Sequence, residues 1–172
     1  MSARQFSIAA LNAMTAKEFT DALGAIFEHS PWVAERAAAR RPFADVSQLH
    51  HAMADAVRHA GEEECVLLIR AHPELAGKAA VRGELTEEST REQKGAGLDQ
   101  CSAEEFAQLQ ELNRRYNEKF GFPFVIAVKG HDRQSILHHF ARRLENERDV
   151  EVRECIEQII RIGGFRLADV VR

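Results

Sequence analysis

The chemistry in this chain centres on His72, which precedes a proline, and on Ser89, Glu92 and Gln93 further along. A residue before proline is disfavoured in the α region. The helix carrying the apolar run Cys65 to Ile69 must therefore stop at His72. The last carbonyls of such a helix carry partial negative charge, which favours imidazolium and proton donation near neutral pH. Ser89, Glu92 and Gln93 stand at i, i+3 and i+4, so one helical face shows a hydroxyl, a carboxylate and an amide together. A histidine facing such a trio would suit a small polar heterocycle. Each signal also has a structural reading. His72 could simply bond a free helix carbonyl, and the trio sits among Glu87, Glu88, Arg91 and Lys94, as solvated surfaces do.

A third signal is Gly121-Phe122-Pro123-Phe124-Val125-Ile126-Ala127-Val128, short, β-branched and aromatic. It predicts an extended buried segment with no partner strand in the sequence. Its backbone groups need hydrogen-bond partners; a ligand could supply some, and neighbouring side chains or loops the rest. Other chemistries lack their patterns. His50-His51 and His138-His139 are adjacent pairs that diverge on a helix, and no H-E-x-x-H occurs, so no metal site is expected. Gly95-Ala96-Gly97 is not followed by the Lys-Ser/Thr of a phosphate loop.

The elements that must position these residues are helices. Thr15-Ala16-Lys17-Glu18 is a capping box, followed by Phe19, Leu23, Ile26 and Phe27 on one face and a stop near Ser30-Pro31. Ser30 can cap the next helix, with Pro31 in its first turn. A further helix is predicted from Ser47 to about Ala60, ended by Gly61. Glu62-Glu63-Glu64 open the next one, whose apolar residues are Val66, Leu67 and Ile69. Ser102-Ala103-Glu104-Glu105 is a second capping box, starting a helix with Phe106, Leu109, Leu112 and Tyr116 that closes at Gly121. Two more helices are expected, from about Asp132 to Glu145 and from about Val150 to Val170. The expectation is an all-α, single-domain, compact multi-helix bundle over residues 1–172, with one short extended buried segment.

Composition agrees with a globular chain: 172 residues, 45% hydrophobic and 29% charged. A net charge of −4 speaks against nucleic acid as partner. Arg40-Arg41 and Arg142-Arg143 read as solvated helix surface. The three cysteines, Cys65, Cys101 and Cys155, show no CxxC spacing and fit small core residues in a reducing compartment. No run is long enough to span a membrane, and the N-terminus lacks a signal-peptide core. A cytoplasmic location is expected.

Taken together, several stretches resemble the 2-oxo-4-hydroxy-4-carboxy-5-ureidoimidazoline (OHCU) decarboxylases of urate degradation. They are Phe27-Glu28-His29-Ser30-Pro31-Trp32-Val33-Ala34, Ala71-His72-Pro73-Glu74-Leu75-Ala76-Gly77-Lys78, Leu85 to Gln93, and Leu112-Asn113 with Tyr116-Asn117-Glu118-Lys119-Phe120-Gly121-Phe122-Pro123-Phe124-Val125. The resemblance implies an all-helical, cofactor-free, commonly homodimeric enzyme that converts OHCU to (S)-allantoin. It places proton transfer on His72, with Pro73 shaping the turn and Glu92 sharing the catalytic site. Substrate contacts fall on Ser89 and Gln93, on the backbone of Phe124, Val125, Ile126 and Ala127, and on Arg166. Gly163-Gly164 departs from the family pattern and predicts a kink near Arg166, since each glycine costs about 1 kcal/mol in a helix interior. Two other readings remain open: an enzyme acting on a related ureido acid, and a non-catalytic helical interaction module.

Overall fold

A computed structural model describes residues 5–172, apart from the side chains of Lys78 and Ala79. The regular elements among these residues are helices: α1 (Ile8–Ala13), α2 (Ala16–Leu23), α3 (Trp32–Ala38), α4 (Val46–Arg58), α5 (Glu62–Arg70), α6 (Lys78–Val81), α7 (Glu87–Gly95), α8 (Ala103–Phe120), α9 (Arg133–Arg143) and α10 (Arg148–Val170), with a 3-10 turn at Leu98–Gln100. The expected all-α class holds. Packing groups the chain into two compact units, one of residues 1–71 with 156–172, the other of residues 72–155.

In the first unit, both capping partners expected for α2 are in place: Glu18 N–H donates to Thr15 Oγ1 and Thr15 N–H to Glu18, each at 3.1 Å. The helix ends sooner than expected, at Leu23, so Ile26 and Phe27 are buried from the loop that follows. Ser30 does not cap α3. Pro31 occupies the cap position without a side-chain bond, and Ser30 Oγ instead donates to the Glu28 carbonyl. On α5 the buried residues are Cys65, Val66, Leu68 and Ile69, whereas Leu67 is 63% exposed. The Arg40-Arg41 pair divides. Arg40 is exposed and pairs with Asp55, but Arg41 is half-buried and donates to the Ala38 and Leu11 carbonyls at 2.9 and 3.0 Å.

Gly163-Gly164 produces no break, and α10 runs through it as one helix. The glycines serve packing. A Cβ on Gly163 would lie 2.7 Å from the buried Phe27 ring, and one on Gly164 would lie 3.0 Å from the His50 ring. That imidazole bonds the Ile160 carbonyl through Nε2 at 2.8 Å. Gly163→Ala is therefore expected to destabilise. Overpacking costs about 1–3 kcal/mol, more than the roughly 1 kcal/mol that alanine gains in helix propensity. A melting temperature at or above wild type would contradict this.

The second unit is built around Tyr116, which is fully buried. Phe120, Phe122, Phe124 and Phe140 surround its ring with centroids 4.5–5.9 Å away. Its helix, α8, starts at the Ser102 capping box and ends at Gly121, φ +78°, as the sequence predicts. The buried face is Leu109, Asn113, Tyr116 and Phe120, while Phe106 and Leu112 are more exposed. Residues 123–128 form neither helix, turn, bend nor strand, and every residue from Phe122 to Val128 is buried. Arg143 contradicts the surface reading of Arg142-Arg143: it is buried and ion-paired with Glu151 at 2.8 Å.

Candidate active site

Helix α5 ends at Arg70, with Ala71 as its cap, so the chain leaves the helix one residue before His72, as Pro73 requires. His72 is 7% exposed. The loop after it, residues 73–77, turns sharply. Ala76 has φ +50°, a left-handed conformation that a non-glycine residue adopts only when its surroundings enforce it.

Those surroundings are side-chain amides. Gln93 Oε1 accepts the Ala76 N–H at 3.0 Å, and Gln93 Nε2 donates to the Glu74 carbonyl at 3.3 Å. From α8, Gln110 Nε2 donates to the Ala76 carbonyl at 2.8 Å and Asn113 Nδ2 to the Leu75 carbonyl at 3.0 Å. Asn117 Nδ2 donates to the Glu74 carboxylate. Positions 110, 113 and 117 share a helical face. This amide row was missed from the sequence, although its 3/4 spacing was readable there.

Helix α7 is capped by Thr86, whose Oγ1 accepts the Ser89 N–H at 3.2 Å. Ser89 and Gln93 are buried and Glu92 is half-buried. The hydroxyl, carboxylate and amide of the predicted face thus sit on a helix that is bonded, through Gln93, to the loop carrying His72. The amide differs from expectation in one respect: both its ends already engage the loop backbone. Its second N–H and second lone pair remain within the capacity of a carboxamide.

The predicted backbone contacts, Phe124 to Ala127, belong to the same unit and are held separately. The Val125 carbonyl accepts from Arg143 Nη1 at 2.7 Å. Arg166 lies in the other unit. Its Nη2 donates to Glu28 at 2.9 Å and Nη1 reaches the Ile26 carbonyl at 3.4 Å, both within that unit. Glu28 is a second residue without an expected role in the sequence, and it is almost wholly buried against the guanidinium.

An open cleft of about 580 Å³ runs beside α7, with Leu85, Thr90, Gln93, Lys94, Leu98 and Phe106 in its wall. Its surface is mostly carbon, and His72, Ser89 and Glu92 are not among its lining residues. Size alone does not make it the reactive site, because His72 and Glu92 lie outside its wall.

Comparison with known proteins gives one consistent result. Residues 12–168 match the family model described as OHCU decarboxylase. The chain is 43% identical over 166 residues to the uric acid degradation bifunctional protein PucL of Bacillus subtilis (strain 168), covering 96% of this chain and 33% of that one. It is 40% identical over 165 residues to the 2-oxo-4-hydroxy-4-carboxy-5-ureidoimidazoline decarboxylase of Haloferax volcanii, covering 96% of each. The chain thus spans a third of the first relative and nearly all of the second. Among solved structures it resembles an (S)-allantoin synthase, with a TM-score of 0.74 at 24% identity over 95% of this chain and 53% of that chain. It also resembles an OHCU decarboxylase crystallised in the presence of (S)-allantoin, with a TM-score of 0.66 at 23% identity over 80% and 88%. These two likenesses show the fold.

Proposed function

Since this chain belongs to the OHCU decarboxylase family, we propose that it decarboxylates OHCU to (S)-allantoin in urate breakdown. The observation that carries the site assignment is the clamp of Gln93 on the His72–Gly77 loop. It ties a buried histidine, beside a proline turn, to the helix that bears Ser89 and Glu92.

Loss of carbon dioxide leaves an electron pair on the ring, delocalised as an enolate-type anion. Hydrogen-bond donors fixed around that charge lower the barrier. A proton must then reach one face of the ring to yield one enantiomer. His72 delivers it as general acid, with Pro73 fixing the turn that aims the ring. Glu92 accepts from ureido or ring N–H groups, and its charge disfavours the neighbouring substrate carboxylate. Ser89 and the spare capacity of Gln93 orient the heterocycle. The backbone from Phe124 to Ala127 supplies further polar contacts. Arg166 enters through the family resemblance, its planar donor fork suited to a carboxylate or ureido oxygen. Holding so small a substrate in one pose accounts for much of the rate. The proposal extends to a homodimer in the cytoplasm. Among the described residues no helix is long and apolar enough to cross a membrane.

The test is turnover of OHCU generated in situ, followed by circular dichroism as (S)-allantoin forms. Acceleration over the spontaneous reaction is expected, and its absence overturns the reading. Glu92→Ala is expected to lower kcat/KM by about a hundredfold, the loss of a charged hydrogen bond to the reacting ring. Unchanged kinetics in that variant would remove Glu92 from the site.

A further inference from the structure

A buried guanidinium underlies the segment from Phe122 to Val128. Arg143 is 3% exposed and donates Nη1 to the Val125 carbonyl at 2.7 Å. Its Nε and Nη2 reach the fully buried Glu151 at 2.8–3.2 Å. Tyr116 donates to the same carboxylate, and Asn146 Nδ2 donates to its other oxygen at 2.9 Å. The guanidinium also lies 4.3 Å over the Phe124 ring. Burial opposes the charge on Arg143, but hydrogen bonds and charge from Glu151, with Cys155, outweigh it and hold the group protonated. Burial pushes the Cys155 thiol up, against the pull of Arg143, Tyr116 and the Val125 backbone.

A core does not need such a network for stability, since apolar residues of equal volume often serve as well or better. Its geometry suggests another use. In straight backbone the N–H and C=O of one residue face one edge, and those of the next residue face the opposite edge. The Val125 carbonyl is turned to Arg143. By that alternation the carbonyls of Phe124 and Ile126 belong to the opposite edge. In a sheet a ladder would impose this register; here one arginine does.

We propose that Arg143, oriented by Glu151, is a positioning residue for the reaction: by clamping the Val125 carbonyl it sets the backbone from Phe124 to Ala127 in the register that meets the substrate. This rests on the decarboxylase reading above and deepens it.

Full-length Arg143→Lys, Glu151→Gln and the double variant Arg143→Met/Glu151→Leu test the proposal beside wild type. Two quantities are read: amide hydrogen exchange over residues 122–128 relative to α8, and kcat with KM on OHCU. The apolar pair refills the core but leaves Val125 unclamped. It is expected to keep its helical signal, to exchange at least about tenfold faster over 122–128, and to lose about a hundredfold in kcat with KM changed less than about threefold, the mark of misplaced contacts. Arg143→Lys restores one donor and is expected to recover part of that loss. A folded double variant with wild-type kcat, or with unchanged exchange over 122–128, overturns the proposal. Should the double variant fail to fold, the two single variants decide by the same readouts. An inactive wild type would overturn the decarboxylase reading itself, which separates that failure from failure of the clamp alone.

Discussion

Replacing His72 by asparagine is expected to give a folded protein whose decarboxylation falls by about 10²–10⁴-fold, the usual contribution of a positioned acid–base group. Asparagine keeps a polar, planar side chain of similar reach but cannot carry the proton. The loop should survive the change, because its backbone keeps its bonds to Gln93, Gln110 and Asn113. Circular dichroism measures both halves of this expectation, the helical signal in the far ultraviolet and (S)-allantoin formation in the assay. A folded variant with wild-type turnover would remove His72 from the mechanism.

Glu28→Ala should have the largest effect on stability. The Glu28 and Arg166 side chains are 1% and 4% exposed, and their ion pair measures 2.9 Å. Removing one partner strands the other charge in the core, which typically costs about 3–5 kcal/mol. For a chain of this size that lowers the melting temperature on the order of 10 °C. Glu28→Gln keeps the volume and one acceptor, so a smaller loss is expected. A Glu28→Ala melt within about 2 °C of wild type, a shift worth under 1 kcal/mol, would show that the pair contributes little.

Features set by neighbouring residues were legible in the sequence. The Thr15 and Ser102 capping boxes, the stop at Gly121 and the exit of the chain before His72-Pro73 each depend on a few consecutive residues, and each is found. What depended on distant partners was not. Arg143 looked like surface because nothing beside it in the sequence reveals Glu151 closing back on it from α10. Gly163-Gly164 read only as a place for a kink, because the rings of Phe27 and His50 that occupy the space arrive from far along the chain. The i, i+3, i+4 pattern correctly paired Ser89 with Gln93 on a buried face. It could not show that the amide would grip the loop. The same rule, applied to Gln110, Asn113 and Asn117, would have exposed the second half of that grip. Amides carry no charge signal that would mark such a row. Glu28 stood in a quoted motif with no role, and only its burial against Arg166 supplies one.

The run from Phe124 to Val128 has one more consequence. It is uncharged, rich in β-branched and aromatic residues, and of the kind that stacks into intermolecular sheets when solvent reaches it. In the native protein its side chains are buried, and the Val125 carbonyl is occupied by a guanidinium. Since Arg143 belongs to α9, local unfolding of that helix would free the Val125 carbonyl in a run of this composition.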